Sequence, residues 1–107
     1  MSKKQRQKQS DIGVLDKQKN KLEPPKKFKV VMYNDDYTPM DFVEALLLQL
    51  FHKSPAEASR ITMTVHKGEK GVAGVYSKEI AETKSRQANQ TAKAHGHPFL
   101  TEIEPAD

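Results

Sequence analysis

The sequence predicts an α+β domain of order β-α-α-β-α-β, a three-stranded antiparallel sheet packed on three helices, behind a basic N-terminal extension. Three observations carry this expectation. An apolar run with alternating character, Phe28-Lys29-Val30-Val31-Met32-Tyr33, follows the diproline Pro24-Pro25. Two helix-start signatures, Thr38-Pro39-Met40-Asp41 and Ser54-Pro55-Ala56-Glu57, come in quick succession behind it. A long pattern of small and polar residues after Ser77 then lies between two short strand-like segments.

Each element has its own local reason. Phe28, Val30 and Met32 alternate with Lys29, Val31 and Tyr33, so the first strand is expected to turn its even-numbered side chains to one face. Residues 34–37 form a loop. Thr38 suits a helix N-cap, Pro39 the first helical position, and Asp41 a site where its charge favours the unpaired N–H groups. The first helix is expected to reach about Phe51, burying Val43, Leu46, Leu47 and Leu50. The second begins at a fuller capping box, Ser54 to Glu57, and carries Ala58, Ile61 and Val65 inward. Lys67 to Lys70 is polar and contains Gly68, so it reads as the break before a strand over 71–76. The glycines of that strand mark a bulge or a close approach of another chain segment. Ser77 is a third N-cap position, and the helix behind it spans 78–94 with Ile80, Ala81, Lys84, Ala88 and Ala92 along it until Gly96 ends it. Pro98 to Ile103 supplies the last strand.

Composition narrows the function. A chain of 107 residues, 36% hydrophobic and 30% charged, has room for one small domain. It has no cysteine, which excludes a disulfide framework, a thiol nucleophile and cysteine-ligated zinc. No apolar run approaches the roughly 20 residues of a membrane span, and no signal-peptide stretch opens the chain, so a cytoplasmic protein with no membrane partner is expected. The net charge of +4 is unevenly spread. Residues 1–29 hold ten Lys and Arg against three carboxylates, a balance of +7, while the other 78 residues hold eight against eleven, a balance of −3. Residues 1–25 are therefore read as a flexible basic extension that cannot bury enough surface to fold alone, and 26–107 as the folded domain.

Candidate chemistry centres on Asn34-Asp35-Asp36, Asp41, His66 and the His95-Gly96-His97 pair. Acids between a strand and a helix are commonly turn formers, and a histidine at a helix end is commonly a cap. No metal site is expected. There is no G-x-S-x-G, no H-E-x-x-H and no P-loop, and Asp36 with His66 lacks a nucleophile, so no catalytic residue is assigned. Taken as a receptor, the same residues cohere: carboxylate, amide and imidazole acceptors suit an ammonium, and Met40, Val43 and Val65 offer an apolar wall beside it. A rival reading, a small nucleic-acid-binding protein using the basic arm, explains the extension but not an acidic loop that repels phosphate.

The segments Asn34-Asp-Asp-Tyr-Thr-Pro-Met-Asp-Phe-Val43, Val65-His66, Ala81-Glu-Thr-Lys84 and His97-Pro-Phe-Leu100, in this order, resemble the ClpS family, adaptors of the bacterial ClpA-ClpP protease for substrates of the N-end rule. The likeness runs from about Pro24 to Ile103. It implies the same β-α-α-β-α-β fold, a substrate-binding domain over 26–107, no enzymatic activity and no cofactor. It also implies a pocket for N-terminal Phe, Leu, Tyr or Trp. Asn34, Asp36 and His66 match the positions that bind the substrate α-amino group, with Asp35 supporting them and Thr38 near the peptide backbone. Met40 matches a gate against β-branched side chains, and Val43 and Val65 match apolar walls. Thr62 and Phe99 stand where the family more often has Met and Leu, which bears on the ranking among the four side chains. Glu79 and Lys84 match contacts to the ClpA N-terminal domain, and the basic arm matches a variable extension engaged during hand-over. N-degron peptides and proteins and ClpA are the implied partners, nucleic acid is not, and a monomer is expected.

Overall fold

A computed structural model describes residues 24–107; the expectations for residues 1–23 lie outside the described residues. The order is β1 (Lys27–Tyr33), α1 (Met40–Gln49), α2 (Pro55–Gly68), β2 (Lys70–Ser77), α3 (Lys78–Ala94) and β3 (Thr101–Pro105). The strands form one antiparallel sheet with β1 in the centre, in the order β2-β1-β3. The expected α+β architecture is the observed one.

The alternation in β1 positions the core. Val30 and Met32 are fully buried with Val43, Leu46, Leu47, Phe51, Ala58, Ile61, Val65 and Phe99. Val31 is also buried, at 3% exposure, although its parity sets it on the other face. Its register partners, Val72 on β2 and Glu102 on β3, flank it there. The β1–β2 register shifts between Val30 and Val31, which pair with Gly74 and Val72 and leave Ala73 as the extra residue. The bulge falls on Ala73 between the two glycines, and the close approach of another segment is at Gly71, where a Cβ would stand 3.0 Å from Cγ2 of Val65 on α2. A Cβ on Gly74 would stand 2.6 Å from Cζ of Tyr76, whose ring packs there.

α3 presents its small side chains to the core. Ala81, Ser85, Ala88 and Ala92, spaced by four, three and four, are buried, whereas Ile80 faces solvent. Close packing of a helix on a sheet follows from this stripe, since alanine lets the backbones approach.

β1, β2 and β3 extend one or two residues beyond their expected ends, and four further boundaries differ from expectation, each for a local reason. α1 starts at Met40 with Pro39 at the N-cap, because Pro39 has an extended ψ of 143°, and the Thr38 side chain does not cap the helix. α1 ends at Gln49 and not Phe51, since the chain reverses at His52 in the left-handed region, φ 56°. α2 runs on through Gly68, and Glu69 supplies the left-handed residue, φ 72°, that stops it. β3 begins only at Thr101, where pairing with Met32 begins, so Pro98 to Leu100 form the approach to the strand. Ser54 caps α2 as expected, accepting from the Glu57 N–H at 3.2 Å. Ser77 occupies the N-cap position of α3 without a side-chain bond.

Candidate functional site: an acidic loop held against the end of α2

The loop between β1 and α1 is shaped by Asp35. Its Oδ1 accepts from the N–H groups of Tyr37 and Thr38 at 2.8 and 2.7 Å, and its Oδ2 accepts from the Thr38 hydroxyl at 2.8 Å. The Thr38 hydroxyl, expected to cap α1, is thereby engaged in the loop. Burial raises the Asp35 pKa, but the Thr38 hydroxyl, the two N–H groups and the charge of His97 outweigh it and hold the carboxyl below its usual range. Asp35 is consumed in building the turn. Asp36, its neighbour, is exposed and makes no side-chain hydrogen bond among the described residues.

Asn34 fastens this loop to the end of α2. Its N–H donates to the Glu69 carbonyl at 2.8 Å, and its side-chain amide reaches the His66 carbonyl at 3.5 Å. His66, in the last turn of α2, is exposed. Asn34, Asp35 and Asp36 line a cavity of about 550 Å³ together with Tyr33, Tyr37, Glu69 and Pro98. The Asp36 carboxylate, the Asn34 amide oxygen and the His66 ring, which make no side-chain hydrogen bond among the described residues, are acceptors at one loop and one helix end of a kind that suits a cation with several N–H donors.

The apolar candidates lie on the α1–α2 hairpin, and neither they nor His66 are among the residues lining the acidic-loop cavity. Val43, Thr62 and Val65 are buried, and Met40 at the start of α1 is 39% exposed. The Thr62 hydroxyl donates to the Ala58 carbonyl at 2.7 Å, so a buried polar residue stands here with its hydrogen bond met. Phe99 is placed differently. It is buried in the core and lines a second cavity, between α3 and the segment leading into β3, apart from the lining of the acidic-loop cavity.

The remaining candidates are distributed over α3 and its end. Glu79 is exposed in the first turn, where its charge suits the free N–H groups. Lys84 is turned inward: its ammonium donates to the Leu50 carbonyl at 2.6 Å and lies 5.8 and 5.4 Å from the ring centroids of Phe51 and Tyr76. This link satisfies a carbonyl at the end of α1, and sequence reading missed it because 34 positions separate the two residues. His95 and His97 pack on Phe42, with ring centroids 5.4 and 4.6 Å away. His95 Nδ1 also lies 2.9 Å from the Thr91 carbonyl oxygen. The pair therefore closes the end of α3 against α1.

The sequence and the fold both match known proteins. Residues 23–102 match the profile of the family described as ATP-dependent Clp protease adaptor protein ClpS. An ATP-dependent Clp protease adapter protein ClpS from Hydrogenovibrio crunogenus is 46% identical over 96 residues, 90% of this chain and 92% of that protein. Its namesake from Pectobacterium carotovorum is 45% identical over 98 residues, 92% of each. Among solved structures, Agrobacterium tumefaciens ClpS2 bound to L-phenylalaninamide superposes with a TM-score of 0.74 at 39% identity. The superposition covers 77% of this chain and 99% of that one.

Proposed function

This chain belongs to the ClpS family of ATP-dependent Clp protease adaptors, and from that premise we propose that it binds proteins through a free N-terminal amine and a large first side chain and delivers them to the ClpA unfoldase. ClpS is an adaptor family, not a protease. The observation that carries the reading is the clamp of Asn34 onto the end of α2, which brings the loop carrying exposed Asp36 to the helix end carrying His66. The ligand of the Agrobacterium relative supports it, since phenylalaninamide has a free α-amine, a benzyl side chain and an amide where a chain would continue.

In this reading Asn34, Asp36 and His66 receive the ammonium while Asp35 and Thr38 hold the loop rigid. Met40, Val43, Thr62 and Val65 receive the side chain, with Phe99 packed in the core behind. An ammonium paired in this way has its desolvation offset, whereas an acetylated terminus leaves each buried acceptor unmet at roughly 1–3 kcal/mol. Burying a Phe side chain contributes about 2–3 kcal/mol more than Ala. Neither term suffices alone, so recognition requires both features at once. Residues 26–107 form the binding domain, residues 1–25 the extension used in hand-over, and Glu79 lies on the surface offered to ClpA, with Lys84 holding α3 beside it through the Leu50 carbonyl.

The decisive experiment is a titration of the protein with a Phe-initiated peptide and with the same peptide acetylated. Binding of the free form alone is the expected result; equal binding of both would overturn the reading.

A further inference from the structure

A larger groove, about 800 Å³, runs between α3 and β3. We propose that it is a docking site for an extended segment of a partner protein, one that adds as a strand to the free edge of β3 and carries apolar side chains flanked by carboxylates. Its lining shares only Pro98 with that of the acidic-loop cavity.

The edge itself selects the position. The Leu100 carbonyl accepts from Tyr33 and the Ala106 N–H donates to Lys27, so even-numbered residues of this segment turn their backbone to β1 and odd-numbered residues turn it outward. Thr101 is already occupied: its N–H donates to Asn89 Oδ1 at 2.8 Å, and Asn89 Nδ2 donates to its carbonyl at 3.2 Å. The Asn89 amide stands in for one residue of a neighbouring strand. Pro105 has no N–H to offer. Ile103 is left with a donor and an acceptor on the open edge and no partner for them among the described residues. An added strand supplies both.

The groove beside that edge gives the occupant its chemistry. Phe99, Leu100 and Ile103 make the apolar wall, and Leu100 is 57% exposed. Arg86 and Lys93, two turns apart on α3, line the other side, both exposed and in no ion pair among the described residues, with Glu82 at one end. Their charge matches acidic residues beside an apolar anchor. A second copy of the chain fits poorly. Two β3 strands paired antiparallel about Ile103 would set Glu102 of one copy opposite Glu104 of the other, twice, on one face. The basic N-terminal extension carries the same sign of charge as Arg86 and Lys93.

The test is a titration of the full-length protein, followed by amide NMR and hydrogen exchange, with the blocked peptide Ac-Glu-Asp-Val-Leu-Val-Asp-Glu-NH2. Acetylation keeps this probe out of an amine site, so its result does not depend on the adaptor reading. The expected result is a shifted and slowed Ile103 amide. A counterpart peptide with Lys at every acidic position should bind at least about fivefold more weakly, as should the acidic peptide to an Arg86→Glu/Lys93→Glu variant. No response at Ile103 in millimolar peptide, equal binding of the basic counterpart, or an unaffected variant overturns the proposal. Changes at Ile103 that track protein concentration without peptide assign the edge to a second copy and overturn it as well.

Discussion

Asn34 and His66 meet across 32 positions of sequence, the amide of one reaching the main-chain oxygen of the other at 3.5 Å. This contact places the loop that carries Asp36 beside the helix end that carries the His66 ring. Asp36→Ala or His66→Ala should therefore weaken binding of a Phe-initiated peptide by at least about tenfold, since each removes an acceptor from the ammonium. Fluorescence anisotropy measures the affinity, and unchanged circular dichroism shows that the fold survives. Native affinity in both variants would place the amine elsewhere.

Met40 lies at the first position of α1, partly exposed above buried Val43. A flexible thioether there fills the space that a second branch on a substrate Cβ needs. Met40→Ala should admit peptides beginning with Ile or Val, which the native protein is expected to reject, and lose a few-fold in affinity for Phe, a fraction of the ~1–3 kcal/mol of one buried side chain. Peptides differing only in the first residue, titrated against both proteins, decide this. Continued rejection of Ile and Val would move the gate to another residue.

Lys84 holds α3 to the end of α1 through the Leu50 carbonyl and the faces of Phe51 and Tyr76. Lys84→Met keeps the aliphatic stem and removes the ammonium, so the expected loss is roughly 1–3 kcal/mol from a charge-assisted hydrogen bond and two cation–π contacts. In a domain of this size that lowers the melting temperature by about 5 °C or more. Calorimetry of the two proteins without any partner measures it, and an unchanged melting temperature would show that Lys84 contributes nothing to the fold.

Asp35 gives the loop a dependence on acid. Its folded-state pKa is depressed, because three hydrogen bonds and the charge of His97 outweigh burial. The stability it contributes is thus fully present above the ordinary aspartate pKa, about 3.9, and is lost as pH falls through the lower folded-state value. Asp35→Ala should be less stable than the native protein by about 1–2 kcal/mol at neutral pH, with the gap closing only in strong acid. Urea denaturation of both proteins at a series of pH values reads this directly. A gap that closes well above the ordinary aspartate range would contradict the depressed pKa.

Removal of residues 1–23 tests the proposed division of labour between extension and domain. Affinity for a Phe-initiated peptide should stay within about twofold, since no loop or helix of the binding site is touched. Accelerated degradation of a Phe-initiated protein by ClpA-ClpP should disappear. Full stimulation by the shortened protein would remove the extension from delivery.

The sequence by itself determined the elements, their order and the family. Alternation in β1, the Ser54 cap of α2 and the spacing of Ala81, Ala88 and Ala92 on α3 act over a few residues, so they are legible wherever those residues are written together. The long motif from Asn34 to Val43 was legible for the same reason, being contiguous. Local grammar also misled: Thr38 looked like a helix cap until Asp35, three residues before it, took its hydroxyl, and Gly68 looked like the stop that Glu69 provides. Only the tertiary structure decided that Lys84 belongs to the end of α1, that Asn34 is tied to the end of α2, that Asn89 covers the edge at Thr101 and that Phe99 lines the other groove. Each of these depends on where distant segments come to rest on the sheet. That is set by burial of the shared core, which is non-directional and sums over many side chains, so no short stretch of the chain records it.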